Sequence, residues 1–208
     1  TGHDVTLDWA TNDFNSDNAS DNRKVTITGR DVKITDTDTL FLGRQTVSRD
    51  LTVTAGGNID DGDILTVAGT TTITGGGYVK FNNSGGSDYE GAVNIDAAGQ
   101  ITLKDQNDIQ LGTITGTGTF QLFASGSGGS DAVTQSGLIT IANRTEITNS
   151  GGDVTLETQA NNFGSEAGGR VKITGANVSV TDANFIDLGA STVSGTYTVT
   201  AILGNIVD

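Results

Sequence analysis

The 208-residue sequence contains no cysteine and no proline. Without cysteine, the chain can form neither a disulfide framework nor a thiolate metal site. Proline has no backbone N–H to donate to a neighbouring strand, so its absence favours an uninterrupted ladder of backbone hydrogen bonds. A secreted chain without disulfides is more typical of a bacterial surface than of an animal ectodomain.

Aromatic side chains and positive charges are also scarce. Aromatic residues make up 5% of the chain and apolar residues 34%, while glycine occupies 30 positions. This composition favours a narrow interior of Val, Ile and Leu over a broad globular core. Lys and Arg number 11 against 25 Asp and Glu, which gives a net charge of −14. We therefore expect no nucleic-acid partner, and the lack of a long apolar run predicts no membrane insertion.

The sequence repeats itself at an interval of about 75 residues. The segment around Val5 returns around Val79 and Val154, at steps of 79 − 5 = 74 and 154 − 79 = 75 residues. This predicts one segment over 1–208 with repeats at 2–75, 76–150 and 151–208, the last one truncated. Because the third copy stops part-way, we expect the natural array to extend beyond this chain.

Within each copy, apolar-x-apolar units recur between stretches rich in Gly, Asn, Asp and Ser. Such alternation is typical of strands with one buried face, and no segment has helical spacing. The aligned units begin at Val25, Val93 and Val171, and at Val32, Ile101 and Val178. With roughly 20 to 25 residues per coil, we predict an all-β, right-handed parallel β-helix (a β-solenoid) of about nine coils. The alternative is a set of tandem β-sandwich domains, which the short strands and scarce aromatics disfavour.

The repeat pattern resembles the β-helical repeats of filamentous-haemagglutinin-like exoproteins, the adhesins of two-partner secretion. The resemblance is carried by Gly-Asp-Val-Thr-Leu (152–156), Val-Lys-Ile-Thr-Gly (171–175) and Tyr-Thr-Val-Thr-Ala (197–201), and it extends over all three copies. It implies a right-handed parallel β-helix, extracellular placement, and a role in adhesion, aggregation or surface display.

A polar insert occupies the same slot in every copy, at residues 11–22, 82–91 and 159–169. A loop at a fixed place in each repeat is expected to project from one side of the rod, where repeat proteins often bind partners. The interpretation we prefer is a solvated turn. A further Gly- and Ser-rich insert at 125–131 is expected to be flexible.

Calcium binding is a weak expectation. Asp13, Asn15 and Asp17 have the alternate spacing of a calcium loop. However, Asn18 stands where that loop needs glycine, and Lys24 stands where it needs a bidentate glutamate. We expect no metal ligand and no cofactor.

Two runs of alternating threonine could form a flat ice-binding face. They comprise Thr113 to Thr119 and Thr196 to Thr200. An ice face needs Thr-x-Thr at the same place on successive coils, and the positions that we match to these runs are Arg44, Ser48, Gln121 and Asp187. Threonine is also simply favoured on exposed strand faces.

No set of residues predicts catalysis. His3 is the only histidine, and the aspartates Asp36, Asp38, Asp60, Asp61 and Asp63 are expected to lie on solvated turns. For Trp9 we prefer a local packing role over stacking on a sugar. No polar constellation survives comparison of the three copies, so we predict no catalytic or binding residue and no enzyme activity.

The sequence therefore predicts a structural or adhesive segment of a large extracellular bacterial surface or secreted protein. Expected partners are a host or neighbouring-cell surface, a glycan or a matrix, and end-to-end self-association into filaments is a further expectation. Two alternatives stay open: a carbohydrate-binding or carbohydrate-active β-helix, and an ice-binding solenoid.

Overall fold

The computed structural model describes residues 2–14, 23–124, 131–164 and 170–208. Within these ranges the chain forms β-strands and no helix, so no helix there could cross a membrane. The strands stack as a solenoid of about nine turns, which confirms the predicted all-β solenoid. Their bounds are β1 (Val5–Leu7), β2 (Val25–Gly29), β3 (Val32–Asp36), β4 (Leu40–Val47), β5 (Leu51–Ala55), β6 (Ile59–Asp61), β7 (Leu65–Val67), β8 (Thr71–Gly75), β9 (Val79–Phe81), β10 (Asp88–Tyr89), β11 (Val93–Ala97), β12 (Ile101–Asp105), β13 (Ile109–Gly116), β14 (Phe120–Ala124), β15 (Val133–Gln135), β16 (Ile139–Ile141), β17 (Thr145–Asn149), β18 (Val154–Leu156), β19 (Asn162–Phe163), β20 (Arg170–Gly175), β21 (Val178–Asp182), β22 (Ile186–Leu188), β23 (Thr192–Val193), β24 (Tyr197–Ala201) and β25 (Ile206–Val207).

The strands form two parallel sheets. The first sheet follows the order β1-β3-β5-β8-β11-β13-β15-β18-β21-β24, with β16 and β19 beside it. The second follows the order β10-β7-β4-β6-β9-β12-β14-β17-β20-β22-β25, with β2 and β23 beside it. Neighbours in each sheet belong to successive coils, since hydrogen bonds between successive coils join residues 16 to 27 apart in sequence.

The core is a column of apolar side chains between the two sheets. In β5, for example, Leu51 and Val53 are buried while Thr52 and Thr54 face outward. Register pairing stacks Val53 between Ile34 and Ile73, so each inward side chain packs on its counterparts in the coils above and below. A buried Val or Ile contributes about 1.5–3 kcal/mol, so stability accumulates with the number of stacked coils.

Each coil has a short side and a long side. The short side is one strand of five or six residues, and the long side is one bent strand of eight residues or two shorter strands in succession. The long side lies in the second sheet from β4 to β10, in the first from β13 to β19, and in the second again at β22 and β23. It changes sheet where two short strands follow each other, at β2–β3, β11–β12 and β20–β21.

Equivalent positions of successive repeats therefore lie in opposite sheets. From β3 to its equivalent β12 the chain crosses between the sheets seven times, which is three and a half turns. The polar inserts follow β1 and β18 of the first sheet but β9 of the second. The prediction that the inserts share one side of the rod is wrong, because the strands that precede them lie alternately in the first and the second sheet.

Apolar side chains in the last coil are more exposed than those of the inner coils. Leu203 is 82% exposed, Ile206 49% and Val207 44%. Val199 in β24, whose equivalents Val53 and Leu122 are fully buried, is only partly buried. Strands β24 and β25 each pair with a neighbouring coil on one side only.

Candidate functional site

A buried aspartate forms the same hydrogen bonds in all three repeats. Asp105, at the end of β12, accepts the amide N–H of Tyr89 on Oδ2 at 3.0 Å and that of Asn107 on Oδ1 at 2.7 Å. We call this arrangement the aspartate clamp. Its two other copies are Asp36 with Phe14 (2.9 Å) and Asp38 (3.0 Å), and Asp182 with Phe163 (2.7 Å) and Asn184 (2.7 Å).

A second polar position in each insert completes the clamp. The Asn161 side chain donates to the carbonyl oxygens of Leu156 (3.4 Å) and Thr181 (3.3 Å), and Asn12 makes the equivalent bonds in the first repeat. The backbone carbonyl oxygen of this position accepts the N–H of the residue that directly follows the clamp aspartate. The pairs are Asn12 with Thr37, Ser87 with Gln106 and Asn161 with Ala183.

The clamps lie where the long side changes sheet. β10 and β19 pair with a strand of the coil below but have no strand above them, because the next coil is short on that side. The N–H groups of Tyr89 and Phe163 would otherwise be buried without a partner, which costs about 1–3 kcal/mol each. The aspartate carboxylate takes the place of the missing strand.

Burial changes the ionisation of these carboxyl groups. Desolvation raises the pKa of Asp105 to about 7, although the two backbone N–H groups favour its ionised form. Desolvation likewise raises the pKa of Asp182. The aromatic side chains of the clamps pack on the core, with Tyr89 and Phe163 fully buried and Phe14 partly buried.

Two expectations about polar residues are therefore wrong. Asp36 is 3% exposed and does not lie on a solvated turn, and a polar constellation is in fact shared by the three copies. Asp61 is buried as well, and burial raises its pKa. Its carboxylate accepts hydrogen bonds from the backbone N–H groups of Asn82 and Asn83, at 3.1 Å each. Extending the aligned unit at Val32 by two residues in each copy would have revealed the aspartates.

The other candidate residues from the sequence do not lie together in one site. Asp60 accepts a hydrogen bond from the Tyr78 hydroxyl at 3.3 Å, and Asp63 forms an ion pair with Arg44 at 3.4 Å. His3 is exposed at the first coil. Trp9 is 77% exposed, so its predicted packing role is wrong.

Asp13 is exposed, and Asn15, Asp17 and Asn18 lie outside the described residues, as does most of the 125–131 insert. Among the described residues, no group of His, Cys, Asp or Glu has the arrangement of a metal site.

Threonines do form columns on the first sheet, but with other neighbours than predicted. Thr52 stacks on Thr72 and Thr54 on Thr74, which gives two successive coils with Thr-x-Thr in register. The columns then meet Asn94 in one row and Asp96 in the other. The matching of the threonine runs to Arg44, Ser48, Gln121 and Asp187 is wrong, because Thr198 and Thr200 stack on Ser179 and Thr181.

A groove lies on the second sheet and crosses the strands. It has a volume of about 460 Å³. Its lining residues are Tyr78, Val79, Lys80, Asn82, Gln100, Thr102, Gln121 and Phe123, from β9, β12, β14 and the turns beside them. It continues into a smaller depression lined by Phe123, Glu146, Ile147, Thr148 and Lys172. We call these two together the sheet groove.

A chain of side-chain amides forms the floor of the sheet groove. Gln100 Nε2 donates to Gln121 Oε1, and Gln121 Nε2 donates to Glu146 Oε2, both at 2.9 Å. Glu146 is also paired with Arg144 at 3.3 Å. Because these bonds join three successive coils, the amide planes are held in fixed orientations along the rod.

A repeat-family model matches most of this chain. A family model described as Repeats of unknown function (DUF5649) matches residues 29–96, 98–168 and 175–208. Searches of the curated proteins and of the solved structures found no match. The three matched segments cover most of the chain, and this chain therefore belongs to the DUF5649 repeat family.

Proposed function

We propose that this chain is a structural and adhesive segment of a large extracellular bacterial surface or secreted protein. The observation that carries the proposal is the unbroken stack of parallel strands, in which every coil supports the next. Such a stack gives length and resistance to unfolding, as a stalk or adhesin requires. The resemblance to filamentous-haemagglutinin-like repeats supports the same function and a two-partner secretion route.

The alternating inserts suit an adhesive role. Since the strands that precede them lie alternately in the first and the second sheet, a long array would present loops along two edges of the rod. Weak contacts at many loops would then add up through multivalency. The aspartate clamps anchor each loop to the core, so the loops can vary without disturbing the stack.

Localisation tests this proposal. Antibodies against the chain are applied to intact and to permeabilised cells of the source bacterium, with a cytosolic protein as the control. We expect equal labelling of intact and permeabilised cells, and loss of the antigen when intact cells are treated with protease. Labelling that appears only after permeabilisation would contradict extracellular placement.

We also propose that copies of this 208-residue chain associate end to end. Strands β24 and β25 pair with a neighbouring coil on one side only, as do β1 and β2, and an unpaired strand edge can pair with another copy. Light scattering over a dilution series should show assemblies that the variant Ile206→Lys dissolves. The matched change Leu138→Lys, at a side chain 37% exposed away from the ends, should leave them intact. A monomeric wild-type rod at all concentrations would contradict the association.

A further inference from the structure

We propose that the sheet groove binds a linear glycan that carries carboxylate groups, lying across the strands along the rod axis. The inference rests on the proposed adhesive function and names the class of ligand. It is carried by three features of the groove: its aromatic side chains, its fixed amides and its unpaired lysines.

The aromatic side chains supply apolar contact surfaces at separate points of the groove. Phe123 is 39% exposed although it is a large apolar side chain on a strand. Tyr78 lies at the corner before β9, two coils away, and burial raises the pKa of its hydroxyl, which remains a neutral donor. Two coils correspond to about 10 Å along the axis, so both rings can contact one extended ligand. Aromatic faces in a polar groove are suited to the C–H faces of sugar rings.

The amide chain supplies hydrogen-bonding groups with fixed geometry. Gln100 uses both of its N–H donors, toward Thr102 at 3.2 Å and Gln121 at 2.9 Å. Its carbonyl oxygen has no partner among the described residues and can accept a hydroxyl. Gln121 retains one free N–H donor after its bond to Glu146. Sugar hydroxyls require both kinds of group close together.

Charge selects the class of glycan. Lys80 and Lys172 belong to one outward row of register partners, with Thr102, Gln121 and Glu146 between them. Neither lysine forms an ion pair with a described residue, although the chain carries a net charge of −14.

The other charged groups beside the groove do not reverse this preference. Lys104 adds a positive charge and donates to the carbonyl oxygen of Ser84 at 2.6 Å. Glu146 is neutralised by Arg144, while Asp60 accepts the hydrogen bond of Tyr78. The free lysines are four coils apart, about 19 Å, so a ligand that engages both must be linear and bear charges at separate points.

Titration calorimetry with defined oligosaccharides tests the proposal. A six-residue alginate oligosaccharide, which carries a carboxylate on every sugar, is compared with cellohexaose, which is neutral. We expect the alginate oligosaccharide to bind at least about tenfold more tightly and to lose affinity as salt is added. Equal binding of both, tighter binding of cellohexaose, or no binding of either would overturn the proposal.

Matched variants assign the binding to the groove. Phe123→Ala and the double change Lys80→Gln with Lys172→Gln should each weaken alginate binding about tenfold or more. Phe185→Ala removes a ring that is 40% exposed elsewhere, and Lys33→Gln removes a charge from the first sheet, so neither should change the affinity. Circular dichroism of each variant checks that the fold is retained. If all four variants bind equally, the groove is not the site.

The outcome is independent of the localisation experiment. Surface labelling together with absent glycan binding would retain the proposed function and discard the groove ligand. Glycan binding by a chain found only inside cells would discard the extracellular placement and retain the groove.

Discussion

Removing the carboxyl group of Asp105 should unfold the solenoid more easily than removing any exposed aspartate. The variant Asp105→Ala removes the acceptors of the buried N–H of Tyr89 and of the N–H of Asn107, which is an exposed residue. Asp105 is fully buried, so water cannot replace the lost oxygen atoms without opening the stack. The side chain of Tyr89 would also lose its fixed position against the core.

The expected loss follows from the two hydrogen bonds. The buried N–H of Tyr89 costs about 1–3 kcal/mol when it is left unsatisfied, and the lost hydrogen bond to the exposed residue Asn107 adds about 0.5–1.5 kcal/mol. The free energy of unfolding should therefore fall by about 1.5–4.5 kcal/mol. Asp105→Asn should be intermediate, because its amide oxygen can accept one N–H while its NH₂ group opposes the other. At about pH 5 the buried carboxyl group of Asp105 is protonated in the wild type. The alanine variant then removes no buried charge, so the change in the free energy of unfolding reports the lost hydrogen bonds alone.

Urea unfolding at that pH, followed by circular dichroism in the strand region, measures the effect. The matched control is Asp96→Ala, which removes an exposed aspartate from the adjacent β11. We expect the control to change stability by no more than about 0.5 kcal/mol. If Asp105→Ala and Asp96→Ala shift the midpoint equally, the clamp does not replace the missing strand and our reasoning fails.

Three further changes test separate parts of the structure. Burial raises the folded-state pKa of Asp105 to about 7, above its value in the unfolded chain, so its stabilising contribution is full below about pH 4 and is lost as the pH rises through 7. When the pH is lowered from 8 to 5, the free energy of unfolding of the wild type should therefore rise by about 2–3 kcal/mol more than that of Asp105→Asn. An equal change in both proteins, measured by urea unfolding at the two pH values, would refute this. Gly76→Ala should destabilise the rod by about 1–3 kcal/mol, because the new Cβ would lie 2.0 Å from the carbonyl oxygen of Gly56. The control is Gly189→Ala, whose Cβ would meet no atom closer than 3.4 Å. Equal melting temperatures of the two variants would contradict the close stacking of the turns. Tyr89→Phe should be neutral or slightly stabilising, because no described residue lies in hydrogen-bond geometry with the buried hydroxyl. Tyr89→Ala should cost about 3–5 kcal/mol in urea unfolding, and a large loss for the phenylalanine variant would show that the hydroxyl is bonded.

The strand pattern was readable from the sequence because burial in a solenoid is strictly alternate. Val32 and Ile34, which the repeat alignment singled out, point into the core of β3 as predicted. The same alternation in Val171 and Ile173 gives β20. Local periodicity is sufficient here, since each coil repeats the same inward column.

Local periodicity does not predict which of the two sheets an aligned strand of each repeat belongs to. The apolar-x-apolar units look alike on the short and long sides, so only a count of strands reveals the half turn at β11–β12. Which residues stack also depends on coil lengths, and inserts vary these lengths. For this reason the neighbours of the threonine columns were assigned wrongly, and the sheet groove, which joins Tyr78 to Phe123 across separate coils, gave no sequence signal.

The aspartate clamps could have been predicted from the sequence. Asp36, Asp105 and Asp182 occupy the same aligned position, four residues after the first apolar residue of the unit. Aspartate near a glycine-rich turn usually makes local bonds in solvent, and that general tendency outweighed the recurrence. A polar residue that recurs in every copy at the end of a buried strand is better interpreted as a buried acceptor.

The most direct test of the stacked-coil architecture is a set of distances between spin labels. The chain has no native cysteine, so labels can be placed at Thr74 in β8 and Thr200 in β24 without background. Six strand steps separate these positions in the first sheet, which predicts a distance of about 29 Å along the axis. Moving the first label from Thr74 to Thr54 and then to Thr35 should lengthen the distance by about 5 Å at each step. Distances that stay constant or change irregularly along this series would contradict the solenoid.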